Sequence, residues 1–133
     1  MLFLEYPPCS TCQRAKKWLD ARGLCYEDRH IKEQNPSYEE LKQWHGRSGL
    51  PKKKFFNTSG LLNKSLNLKE KLPAMTEEEQ LRLLSSDGML VKRPILITEK
   101  AVIPGFRAEA WEKAIWLRLQ DKRLPLGGLL ADR

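Results

Sequence analysis

The sequence predicts a small α/β domain, on three observations. An apolar run, a helical run and a second extended run follow one another within the first ~30 residues, the order of a right-handed βαβ unit. Two extended runs joined by a short turn, followed by an amphipathic helix, close the chain as a ββα unit. Between them, residues ~35–88 carry helix signals and read as a helical insertion between the two halves of one domain. A chain of 133 residues that is 41% hydrophobic has enough apolar material for one real core and is not disordered. The domain is expected over 1–120, with 121–133 as a C-terminal tail.

Leu2, Phe3 and Leu4 supply the first strand, and Glu5-Tyr6-Pro7-Pro8 the turn after it. Ser10 to Arg22 offers Ala15, Trp18 and Leu19 at helical spacing. Gly23 caps that helix, and Leu24 to Asp28 reads as the second strand, with Cys25 on it as a packing residue. Asn35-Pro36 ends the unit. Ser37 with Glu40 three residues on is a capping box, opening a helix through Leu41 and Trp44 that His45-Gly46 to Gly49-Leu50-Pro51 breaks. Phe55 and Phe56 belong to the core, Thr58-Ser59-Gly60 is turn-rich, and Asn67 to Leu72 forms a short helix. Thr76 with Glu79 is a second capping box, and Ser86-Asp87-Gly88 stops its helix. Ile95 to Thr98 and Ala101 to Ile103 are strands of a hairpin, ended by Pro104-Gly105. Glu109 to Gln120 is an amphipathic helix with Trp111, Ile115 and Leu119 on one stripe, and the tail Leu124 to Gly128 is loosely ordered.

Chemistry concentrates at Cys9-Ser10-Thr11-Cys12, where the first strand gives way to the first helix. A thiol there sits among backbone N–H groups that no helix carbonyl satisfies, and the positive end of the helix favours thiolate over thiol. Cys12 lies one turn on, on the same face, within reach for a small disulfide ring. Two other readings stand beside that one. C-x-x-C is half of many zinc sites, but the remaining candidates Cys25, His30 and His45 form no second ligand pair, so no metal is expected. Two buried cysteines acting as small hydrophobes are the other alternative. His45 is read as a surface or capping residue.

Lys and Arg total 24 against 17 Asp and Glu, a net charge of +7 that attracts anions. Apart from Lys52-Lys53-Lys54 and Lys122-Arg123 the cations are scattered, and no nucleic-acid motif accompanies them, so direct nucleic-acid binding is not expected. No apolar run approaches a membrane span and Met1 leads straight into a core strand, so a cytoplasmic location without membrane contact is the default. Three cysteines make no disulfide framework.

Tyr6-Pro7-Pro8-Cys9-Ser10-Thr11-Cys12, Phe55-Phe56-Asn57-Thr58-Ser59-Gly60, Asp87-Gly88-Met89, Lys92-Arg93-Pro94-Ile95 and Gly105-Phe106-Arg107 together resemble the arsenate reductase (ArsC) family, which includes the Spx-type regulators. The resemblance covers residues 1–118 and implies a thioredoxin-like three-layer fold around a four-stranded mixed sheet. It also implies Cys9 as nucleophile, Arg93 as an anion-binding residue and a cis bond before Pro94. Ser10 and Thr11 fall in the anion-binding turn, and Arg107 is a second clamp if its loop returns to the same rim. A guanidinium beside the thiolate would lower its pKa and offer a fork to an oxyanion. Surface ion pairing is the plainer reading of both arginines, and a trans proline at a strand start that of Pro94.

The sequence also departs from the family. Family members that work with glutaredoxin carry Ser at the position of Cys12 and His near that of Glu5. They use a third arginine from the insertion, where this chain has Lys52 to Lys54 or Lys64. A lysine lacks bidentate geometry, which argues against a well-formed arsenate site. Cys12 instead supplies a resolving thiol. The leading expectation is therefore a thiol-disulfide oxidoreductase acting on an oxidised thiol or a small oxyanion. It would bind no cofactor and draw electrons from glutathione, glutaredoxin or thioredoxin. The alternatives are an Spx-like, redox-switched regulator that binds the RNA polymerase α subunit, and arsenate reduction proper.

Overall fold

The computed structural model describes residues 1–57 and 65–122, with side chains through residue 120. The predicted turn Thr58-Ser59-Gly60, Lys64 and the tail from Leu124 lie outside the described residues. Strand β1 (Leu2–Glu5) pairs in parallel with β2 (Glu27–His30), Leu2 opposite Glu27 and Glu5 opposite His30. On its other side β1 pairs antiparallel with β3 (Ile95–Ile97), which pairs antiparallel with β4 (Val102–Pro104). The order β2-β1-β3-β4 makes a mixed four-stranded sheet. Helices α1 (Ser10–Ala21) and α5 (Ala108–Lys122) bear on one face, where Phe3, Leu19, Leu96 and Trp111 pack. The insertion bears on the other face through α2 (Tyr38–Ser48), α3 (Leu68–Lys71) and α4 (Glu77–Ser86). There Leu4, Ile31, Trp44, Phe55, Phe56 and Leu84 form a second core. Helices on both faces of such a sheet are the thioredoxin-like arrangement.

Both predicted capping boxes form. Ser37 Oγ accepts from the Glu40 N–H and Thr76 Oγ1 from the Glu79 N–H, each glutamate closing back on its cap backbone. Several boundaries differ from the sequence reading, and Glu5, read there as part of the turn, is the last residue of β1. The second strand begins at Glu27, not Leu24, because after the left-handed turn at Gly23 (φ +65) three residues climb from the end of α1 to the sheet. In that climb Leu24 and Tyr26 cover the edge of the core, Tyr26 edge-on to Phe3 at 5.5 Å. Cys25 between them faces outward and is exposed, so it is not the packing residue expected. Helix α2 runs through Gly46 to Ser48 and stops at Gly49, whose φ of +69 is the left-handed cap. One glycine costs about 1 kcal/mol in a helix interior, too little to break a helix anchored by buried Leu41 and Trp44. In α5 the buried stripe is Trp111, Ala114 and Ile115, and Leu119 is 57% exposed because the helix outruns the core it covers.

The insertion is fastened to the segment before β3 by backbone. Lys92 N–H donates to the Phe55 carbonyl (2.8 Å) and Asn57 N–H to that of Leu90 (2.8 Å), with a bridge between Phe56 and Val91. This tie sets the start of the insertion beside Arg93. The Arg93–Pro94 peptide is cis, as the family resemblance implied.

Candidate functional site

The turn after β1 is closed by the Cys9 N–H donating to the Tyr6 carbonyl (2.9 Å), and the Cys9 carbonyl accepts the first helical bond, from the Gln13 N–H (3.0 Å). Cys9 is thus the N-cap of α1, in extended conformation (φ −74°, ψ 125°), a place usually filled by Ser, Thr, Asp or Asn. Burial pushes the Cys9 thiol up, but this is outweighed. The N–H groups of Cys12 and Thr11, the Cys12 thiol and the charge of Arg93 all favour the thiolate, and the net shift is downward. Cys12 behaves in the opposite way. It is fully buried, and burial raises its thiol to about 12 against the pull of the Tyr6 N–H, which reaches its sulfur at 3.5 Å. The hydrogen bond it gives to Cys9 and the negative charges of Cys9 and Glu5 add to that rise. The pair is therefore an acidic, half-buried sulfur touching a buried one that holds its proton.

Cys9 opens onto a cavity of about 720 Å³. Five cations line it, Lys53, Lys54, Lys92, Arg93 and Arg107, and among the described residues no carboxylate does. Leu50, Phe56, Pro104 and Phe106 give it apolar walls. Arg107 thus stands on the same cavity as Cys9, the condition set on its role above. Arg93 is held by its own loop, donating to the carbonyls of Met89 (3.2 Å) and Val91 (3.4 Å), with its guanidinium 5.1 Å from the Tyr6 ring centroid. Neither it nor Arg107 is in an ion pair among the described residues. Thr11 lines the cavity, whereas Ser10 is exposed outside it. Pro94 is buried off the wall, its carbonyl accepting from the Gly105 N–H (2.7 Å). Of the three consecutive lysines, Lys52 turns away to pair with Glu77 at 3.2 Å, and only the next two reach the cavity.

The zinc candidates lie on separate elements. Cys25 is exposed, His30 packs edge-on to Tyr6 at 5.8 Å, and His45 lies against Phe55 at 5.9 Å. Among the described residues no group of three metal-binding side chains is brought together. Sequence reasoning missed Lys92, Phe106 and Glu5. The first two adjoin motif arginines directly. Glu5 had a signal in strand alternation, which puts it on the face of Phe3 and therefore beneath α1.

Comparison with known proteins adds to this geometry. The model of the ArsC family matches residues 4–114. An ArsC family related protein from Bacteroides fragilis is 59% identical, with a TM-score of 0.83 over 84% of this chain and 94% of its own. A possible arsenate reductase from Streptococcus mutans is 44% identical, with a TM-score of 0.77 over 84% of this chain and 96% of its own. Regulatory protein MgsR of Bacillus subtilis is 32% identical over 106 residues, covering 80% of this chain and 82% of its own.

Proposed function

This chain belongs to the ArsC family, and on that premise we propose that it is a thiol-disulfide oxidoreductase with Cys9 as nucleophile and Cys12 as resolving thiol. The observation that carries the reading is the placement of Cys9 at the N-cap of α1, opening onto a cationic cavity, with Cys12 buried one turn on in the same helix. Cys9 thiolate attacks one sulfur of an oxidised thiol, a Cys9 mixed disulfide forms, and the other half leaves as thiolate. The Cys12 sulfur then attacks Cys9, a Cys9–Cys12 disulfide forms, and the second half leaves. An external dithiol, or two molecules of a small thiol such as glutathione, restores both cysteines. Five cations and apolar walls favour an anionic substrate with some bulk, since the cavity has the volume of one that holds a drug-sized ligand. Arsenate itself fits less well, because the insertion gives the cavity Lys53 and Lys54, point charges in place of a bidentate fork.

Intact mass after mild oxidation tests the reading. A loss of two hydrogens, absent in both Cys9→Ser and Cys12→Ser but kept in Cys25→Ser, is expected. Oxidation that instead joins Cys25 to either partner, or adds glutathione to Cys12 first, overturns it.

The similarity to MgsR favours a second reading, in which the same disulfide switches binding to a transcription partner. A pull-down with the C-terminal domain of the RNA polymerase α chain, run in both redox states, separates the two. Binding that follows the disulfide, without turnover of disulfide substrates, replaces the enzyme by a switch.

A further inference from the structure

The turn between β4 and α5 gives the cavity three consecutive residues, Gly105, Phe106 and Arg107. On one side the turn is bound to the segment before β3, where the Gly105 N–H donates to the Pro94 carbonyl (2.7 Å). On the other side it is bound to a single residue. The Trp111 indole N–H donates to the Gly105 carbonyl at 3.0 Å, inside the protein. The Trp111 ring stands edge-on to Phe106 at 5.0 Å. Its backbone N–H donates to the Arg107 carbonyl at 2.9 Å, the first bond of α5. Each residue that the turn offers to the cavity thus makes a different contact with the same tryptophan.

Trp111 is a fixed point because two further elements hold it. It is fully buried, edge-on to Phe3 of β1 and to Trp18 of α1, both at 6.1 Å. A buried indole N–H needs an acceptor, and the Gly105 carbonyl is the one this fold supplies. Ring packing alone tolerates a sliding turn. A hydrogen bond to a residue whose own N–H is already held does not, since it weakens steeply with distance and angle.

Arg107 is where that precision counts. Two carbonyls of its own loop hold the Arg93 guanidinium, whereas Arg107 is exposed and, among the described residues, in no ion pair. Its charge therefore serves the cavity only as well as its backbone is aimed. We infer that Trp111 is a positioning residue: its indole N–H, through Gly105, sets the turn so that Arg107 faces the anionic substrate of Cys9. The role rests on the oxidoreductase reading. It makes the preference of the site for anions depend on a buried group that does not line the cavity.

The test measures charge preference in the full chain carrying Cys25→Ser. This is the ratio of first-phase rates toward dianionic 5,5′-dithiobis(2-nitrobenzoate) and neutral 2,2′-dithiodipyridine, at about 20 mM NaCl. Arg107→Met is expected to lower the ratio about fivefold, and Trp111→Phe, which keeps a ring but loses the donor, about threefold. The double variant falls no lower than Arg107→Met alone, because both changes remove one contribution. Ile115→Ala, one turn further along α5 in the same core, lowers the urea midpoint and leaves the ratio alone. Should the phenylalanine chain not fold, β-(3-benzothienyl)alanine at position 111 repeats the comparison at the same shape, with sulfur where the N–H stands. An unchanged ratio in either single variant overturns the inference. So do losses that add in the double variant, or an equal fall in Ile115→Ala. The oxidoreductase reading is scored separately, on the wild-type cysteine pair. Two thionitrobenzoates released per equivalent of reagent, with a Cys9–Cys12 bond formed, leave it standing; one, with no such bond, removes it.

Discussion

At the scale of single residues, two identical side chains three positions apart have been given opposite acidities. Cys9 stands where N–H groups and Arg93 outweigh burial, and Cys12 where burial prevails. The sign gives a prediction. Because the folded-state pKa of Cys9 is lowered, its thiolate persists as pH falls below the range of an ordinary thiol. Arg93→Met removes one of the stabilising charges and moves the midpoint of Cys9 alkylation upward. Iodoacetamide rates in a Cys12→Ser, Cys25→Ser background, followed from about pH 5 to 10, check this; at pH 6.5 the variant reacts severalfold more slowly. Equal midpoints would show that Arg93 serves the cavity but not the sulfur. The strand-to-helix cysteine was legible in advance as a local pattern, Arg93 came only through the family resemblance, and the burial of Cys12 alone of the pair was not foreseen. Nor was the acid beneath them, because Glu5 meets Asp28 only after β2 is laid beside β1.

At the scale of elements, local signals located helices well and edges poorly. The capping boxes at Ser37 and Thr76 set their helix starts by bonds within four residues, so sequence sufficed. The start of β2 and the buried extent of α5 depend on where a neighbouring layer ends, which no local pattern carries. The turn Asp87-Gly88-Met89 shows how closely the layers meet. Asp87 accepts from the Met89 N–H (2.8 Å), and Gly88 lies against the loop after β2. A Cβ built on Gly88 would stand 1.9 Å from the Ile31 carbonyl oxygen, a backbone atom that is not free to swing away. Gly88→Ala is therefore expected to cost at least about 3 kcal/mol, since the insertion must part from the sheet to admit a methyl group. Urea denaturation measures it. Gly46→Ala is the control: open space surrounds that position in the interior of α2, and the change is neutral or stabilising by up to about 1 kcal/mol. A Gly88→Ala chain as stable as wild type would show that the two layers slide easily past each other.

At the scale of the whole molecule, three separate segments deliver like charge to one place. The insertion brings Lys53 and Lys54, the segment before β3 brings Lys92 and Arg93, and the turn before α5 brings Arg107. The net charge of +7 said only that anions would be attracted; the backbone tie between Phe55 and Lys92 says where. Gathering five cations around a thiolate costs self-repulsion, which makes sense only if an anion relieves it. Rates should therefore depend on the charge of the disulfide offered. Attack of Cys9 on dianionic 5,5′-dithiobis(2-nitrobenzoate) should slow severalfold between about 20 mM and 500 mM NaCl, as the screening length falls below the width of the cavity. Neutral 2,2′-dithiodipyridine reports the same sulfur without the attraction, and its rate should change less than twofold. Replacing Lys53 and Lys54 by Ser should flatten the salt dependence of the first reagent while changing the second far less, because both lysines line the cavity and Arg93 is the cation that chiefly lowers Cys9. Stopped-flow traces with both reagents at several salt concentrations make the comparison. Identical salt slopes for the two would mean that the charges are too exposed to steer, and that selectivity rests on the apolar walls instead.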